Sequence, residues 1–131
     1  MSADERRIRI LLIESNPVLL EGIASLLRDE PEMELVGSAT SILAGVDLLR
    51  QVQPNVILLD LDLAGATSAM TFRELRGVDP NASIIVLASY ELDRAVGSVM
   101  QAGATAVIAK HQLESGLLDL IRTTRAGRTN A

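Results

Sequence analysis

The sequence contains no cysteine and no tryptophan, and only one phenylalanine, one tyrosine and one histidine among its 131 residues. Without cysteine, neither a disulfide framework nor a thiolate metal site can form. The lone histidine, His111, has no ligand partners near it in sequence and reads as surface at a helix start. Aromatic residues make up 2% of the chain, so the core must come from Leu, Ile, Val and Ala. At 48% hydrophobic there is enough of these for one domain. Long apolar runs are also missing. The run "ILLI", after the charged stretch "MSADERRIR", stops at Glu14. That is too short for a signal or a membrane span, so a cytoplasmic protein without membrane contact is expected. Positive charge is not in excess either: the formal net charge is −5, which argues against a surface that is a nucleic-acid footprint throughout. Arg122, Arg125 and Arg128 form a basic C-terminal patch that a solvated helix face explains equally well.

What is present is an alternation of apolar runs with helical patterns. "IRILLI" (8–13), "MELVGS", "VILLD" (56–60), "SIIVLAS" (83–89) and "TAVIA" read as strands, being short, rich in branched residues and bounded by polar ones. Between them, Asn16-Pro17 opens one helix as cap and first-turn proline, and Pro31 ends it. Ser41 introduces a second, with Ile42, Val46 and Leu49 at helical spacing, and Pro54-Asn55 breaks it. A third covers about 68–76 before the turn signal "VDPNA". A fourth ends at Gly103, placed as its C-terminal cap, and "QLESGLLDLIRTTRAG" is the last. The final "AGRTNA" reads as a linker or frayed tail. Five strands alternating with five helices predict an α/β fold, a parallel sheet covered on both faces. Ligands of such sheets bind beyond the carboxyl ends of the strands. That rule brings together Glu14, Asp60, Ala88-Ser89 and Lys110, which are far apart in sequence.

The stretch "ILLDLDLAGAT" places Asp60 where a buried strand leaves the core and Asp62 two residues later. With "NPVLLEGIASLLRDEPEMELVGSA", "PNVILLDLDLAG" and "AGATAVIAK", the chain resembles a two-component response-regulator receiver domain over nearly its whole length. It is most similar to the subfamily that usually carries a C-terminal LuxR-type helix-turn-helix. The resemblance implies a flavodoxin-like doubly wound five-stranded parallel sheet, strand order 2-1-3-4-5, with the receiver over residues 1–126 and a linker or tail from 127. It implies a signalling module rather than an enzyme. A histidine kinase or other signalling protein would be its partner, a homodimer its assembly, and DNA would be reached only through an effector domain outside this chain. Asp60 would be the phosphoacceptor, Lys110 the lysine that pairs with the phosphoryl group, and Glu14 with Asp60 the Mg²⁺ ligands. A carboxylate nucleophile needs a divalent cation to bring a phosphoryl dianion near and a lysine to balance transition-state charge.

Several positions depart from the family pattern. The acidic pair after the first strand is Glu14-Ser15, so one anionic ligand is lost and a weak Mg²⁺ site is expected. Asp62 either compensates from the metal-facing side or points to solvent. The hydroxyl position after strand four is Ala88, and the adjacent Ser89 does not automatically replace it, because consecutive strand residues face opposite sides. The aromatic switch position in strand five is Val107, Ala64 stands where a proline is usual, and His111 follows the lysine. Two kinds of receiver fit: a working phosphoacceptor with a relaxed metal site, or a degenerate one that signals by binding or dimerisation. The departures favour the second. A third reading, a small phosphatase of the haloacid-dehalogenase type, rests on the D-x-D of Asp60 and Asp62. It lacks the early strand position and the later acidic cluster. In the first helix, the resemblance puts Leu19, Ile23 and Leu26 against the sheet, leaving Leu20 and Leu27 outward as a partner surface.

Overall fold

Two buried faces alternate along every central strand and organise the chain into three layers. The structure is a computed structural model that describes residues 7–63, 69–89 and 92–129, apart from the side chains of 92–95 and 125–129. Strands β1 (Ile8–Ile13), β2 (Met33–Ala39), β3 (Val56–Asp60), β4 (Ser83–Ala88) and β5 (Ala106–Ala109) form one parallel sheet in the order β2-β1-β3-β4-β5. Helices α1 (Pro17–Arg28), α2 (Ile42–Val52), α3 (Ala69–Val78), α4 (Leu92–Ala102) and α5 (Leu113–Thr129) connect and follow them. A 3-10 turn at Lys110–Gln112 leads into α5.

Because side chains alternate along a strand, Ile8, Ile10, Leu12, Val56, Leu58, Ile85, Leu87 and Ile108 share one face. There they pack with Ile23 and Leu27 of α1 and Leu113, Leu117 and Ile121 of α5. Leu11, Ile13, Ile57, Leu59, Ile84 and Val86 share the other, against Val46 and Leu49 of α2, Phe72 and Leu75 of α3 and Val99 of α4. All residues of β3 and β4 are buried, as expected of strands covered on both sides. Gly45 is what lets α2 approach so closely. A Cβ there would lie 2.5 Å from Cδ1 and 2.9 Å from Cγ1 of the fully buried Ile13.

The caps read from sequence form. Asn16 Oδ1 accepts from the Val18 and Leu19 amides at 2.9 and 3.3 Å, and Ser41 Oγ accepts from the Ala44 amide at 3.1 Å. Gly103 has φ +126 and donates its N–H to Val99 O at 3.1 Å. The end of α2 has a detail the sequence does not display. Gln53 turns left-handed (φ 47) in front of Pro54, and its N–H reaches Leu49 O. Helix α5 continues to Thr129, two residues past the end of "QLESGLLDLIRTTRAG".

The outward placement of Leu20 and Leu27 is corrected. Leu27 is 1% exposed and belongs to the core, and Leu20 is half-buried against that core. Leu20, Ile23, Ala24 and Leu27 follow the i, i+3, i+4, i+7 spacing of a single stripe, and this stripe meets the sheet. Leu19 and Leu26 lie on its flank. With Gly22 and Ile23 they line a groove of about 250 Å³ shared with Lys110, His111, Leu113 and Glu114.

Candidate phosphoacceptor site

A parallel sheet places every strand's carboxyl end at one edge, and there the charged residues meet. Asp60 ends β3 on the central strand and is fully buried. Glu14 follows β1 directly and is also fully buried. Lys110 follows β5, with its side chain 19% exposed, and its ammonium lies 2.8 Å from Asp60 Oδ1, 3.2 Å from Asp62 Oδ2 and 3.6 Å from Glu14 Oε1. One cation therefore serves three carboxylates.

Both oxygens of Asp60 are engaged. Oδ1 accepts from Lys110 and from the Asp62 amide at 2.9 Å. Oδ2 accepts from the Ser15 hydroxyl at 3.0 Å and from the Ser15 amide at 3.3 Å. Burial alone pushes the Asp60 carboxyl up, but the Lys110 ammonium, the Asp62 N–H and the Ser15 donors outweigh it and hold the group below its usual range. Asp60 is thus ionised at neutral pH. Glu14 goes the other way. Burial and the neighbouring Asp60 raise it to about 7, against the lowering by the Asn16 N–H, which donates to Oε2 at 3.0 Å, and by Lys110. Glu14 Oε1 has no hydrogen-bond partner. Burial depresses Lys110, yet the Asp60 and Asp62 carboxylates raise it above its ordinary value, so it stays charged.

Asp62 has partners at the pocket edge. Although its side chain is 55% exposed, it turns back along the edge and accepts from Ser89 Oγ at 2.5 Å as well as from Lys110. Ser89 therefore reaches the acidic pocket through Asp62. Ala88 is buried at the end of β4, and Val107 is half-buried toward the α2–α4 layer, away from the charged cluster. His111 is exposed in the 3-10 turn. Ala64 lies outside the described residues. The basic patch is broken up: Arg122 bonds Glu32 at 2.7 Å, Glu30 at 2.9 Å and Asp119 at 3.3 Å, while the side chains of Arg125 and Arg128 are outside the description.

The sequence profile of the response regulator receiver domain matches residues 10–122. The chain belongs to this family. Among its relatives, the receiver is 32% identical over 120 residues to the transcriptional regulatory protein LiaR of Bacillus subtilis, covering 92% of this chain and 57% of LiaR. It is 29% identical over 118 residues to the nitrate/nitrite response regulator protein NarL of Escherichia coli K12, covering 90% of this chain and 55% of NarL. The chain thus spans little more than half the length of these relatives. A crystal structure of a two-component response regulator of the LuxR family from Aurantimonas sp. SI85-9A1 superposes with TM-score 0.84 at 25% identity, over 93% of this chain and 87% of that one. The response regulator domain of Thermotoga maritima CheB shares the fold at TM-score 0.82 and 20% identity, over 92% and 98%. Membership of the receiver family sets the phosphatase reading aside. Receiver domains are in general signalling modules rather than enzymes. Among the described residues, no helix is long and apolar enough to cross a membrane.

Mg²⁺ is the metal this family binds. In kind, the oxygens at the pocket suit it: Asp60 Oδ2, Ser15 Oγ and the unpartnered Glu14 Oε1. Ser15 brings a neutral oxygen where a carboxylate would bring charge, and the Lys110 ammonium lies 2.8 Å from Asp60 Oδ1. Glu14 and Asp60 are the residues that would hold the ion.

Proposed function

We propose that this receiver is a degenerate phosphoacceptor, working in transcriptional signalling through partner binding or self-association more than through phosphoryl-driven switching. The observation that carries the reading is the pair of hydrogen bonds that Ser15 donates, from its hydroxyl and its amide, to Asp60 Oδ2. A neutral hydroxyl and an amide occupy the nucleophile's free oxygen, on the side where the family places its second acid. Mg²⁺ binding is then weak, because a hard cation must displace these donors with one carboxylate fewer to hold it. Val107 and Ala88 add to this, since neither an aromatic nor a hydroxyl stands at its switch position.

A histidine kinase or another signalling protein is the partner this role calls for, in the cytoplasm. Regulation of transcription would pass to DNA through a domain of the kind LiaR and NarL carry beyond their matched region, most simply in a homodimer. The working-acceptor reading retains one specific support: Asp60 is ionised and Lys110 is seated against it at 2.8 Å. Incubation with acetyl phosphate and Mg²⁺, followed by intact-mass measurement, separates the two. Slow, partial labelling that disappears in Asp60→Asn is expected. Rapid stoichiometric labelling would overturn the degenerate reading.

A further inference from the structure

The ladder between β3 and β4 ends at Asp60–Leu87, with one more bond from the Leu61 amide to Leu87 O, and that between β4 and β5 ends at Ala88–Ala109. Beyond these points the loops after the three strands have no shared backbone pairing among the described residues. They are joined instead by side chains converging on a single atom. Asp62 Oδ2 accepts from Ser89 Oγ at 2.5 Å and from Lys110 Nζ at 3.2 Å. An O–H donor this close to a carboxylate oxygen is a charge-assisted contact. Asp62 is largely exposed, so burial does not account for its position; two donors from two different loops do.

We propose that Asp62 acts as a resident anion. Its carboxylate fills the position between the Ser89 hydroxyl and the Lys110 ammonium that a free oxyanion would otherwise enter, and it clasps the loops after β3, β4 and β5 with no ligand bound. Asp62 is thereby a positioning residue for Lys110, adding an exposed acceptor at 3.2 Å on the outer side of an ammonium that lies 2.8 Å from the buried Asp60. A second anion approaching Lys110 meets like charge and an occupied hydroxyl. Asp62→Asn keeps the shape and an acceptor for Ser89 while removing the charge. The proposal concerns the same pocket as the degenerate-acceptor reading and rests on it for the role of Lys110, but its test uses no phosphoryl donor.

The test is a titration of the whole chain with inorganic phosphate at constant ionic strength, followed by amide NMR shifts at Ser89 and Lys110. In the unaltered protein these shifts should not saturate. In Asp62→Asn they should saturate, with affinity at least about tenfold higher, as expected from removing one like charge at contact distance. Equal phosphate response in the two proteins, or saturation in neither, would overturn the clasp. Amide exchange supplies the second arm. Ser89→Ala should speed exchange at the Lys110 amide, and Ser89→Thr, which keeps the hydroxyl, should restore it. If Thr does no better than Ala, the hydroxyl is not what holds the loops and the proposal fails. Efficient labelling by acetyl phosphate would sink the degenerate reading and leave these outcomes unchanged.

Discussion

Ser15 donates both its hydroxyl and its backbone amide to the same oxygen of Asp60, Oδ2, at 3.0 and 3.3 Å. A serine here does more than omit a charge: its hydroxyl adds a donor to Asp60, the proposed phosphoacceptor, beside the backbone amide that any residue would supply. Ser15→Asp reverses this, replacing the hydroxyl donor with an anion beside Asp60. Mg²⁺ affinity should rise by about tenfold or more, read by calorimetric titration of both proteins, since each added carboxylate strengthens a hard-cation site. Equal affinities would show that Ser15 is not what limits the metal.

Glu14 gives the fold a pH dependence. Its carboxyl is raised from 4.5 to about 7 in the folded chain. The folded state therefore binds the extra proton between those values, and stability falls as pH rises through them. The stabilisation is complete below pH 4.5 and gone above about 7. Glu14→Gln should flatten the profile of thermal midpoint against pH between 5 and 8, and above pH 7 it should be the more stable protein by on the order of 2 kcal/mol. A wild-type profile that rises over that window would contradict the assignment.

The first helix provides a contrast between neighbouring leucines. Leu27 is in the core, so Leu27→Ala should cost about 2–5 kcal/mol in chemical denaturation. Leu26 lies on the groove side, half-buried, and Leu26→Ala should cost clearly less. Equal losses would mean that the flank is packed as tightly as the stripe.

Gly45 sits where α2 meets β1. Adding a methyl group sets it against the side chain of Ile13, which is β-branched, fully buried and unable to withdraw. Gly45→Ala should destabilise by about 1–3 kcal/mol despite the better helix propensity of alanine, as urea unfolding would measure.

The strands were legible because a sheet covered on both faces needs continuous branched apolar runs, and "VILLD" and "SIIVLA" are little else. The convergence of Glu14, Asp60 and Lys110 followed from the strand-end rule alone. Leu27 did not. Two leucine series at helical spacing cover a wide arc of α1, and only the packed structure singles out Ile23, Ala24 and Leu27 as its buried residues, with Leu19 and Leu20 half-buried beside them. The Asp62–Ser89 bond was hidden for a related reason. Both residues stand past the ends of their strands, where alternation no longer fixes direction: the sequence placed Ser89 on the strand facing away from Ala88 and left Asp62 either near the metal or in solvent. Arg122 was read with Arg125 and Arg128 as a basic patch, because its acidic partners Glu30 and Glu32 lie some ninety residues earlier.

Arg122 and Lys110 occupy opposite edges of the sheet, yet each is one cation among three acids: Glu30, Glu32 and Asp119 for the first, Glu14, Asp60 and Asp62 for the second. Neither pole is neutralised by its own pairings. The two clusters together hold six acids and two cations, so each carries an excess of negative charge in a chain of formal charge −5. Screening ions relieve repulsion within each pole while weakening only the more exposed of the pairings. Moderate salt should thus make this protein harder to unfold, an acidic molecule steadied by the ionic strength around it.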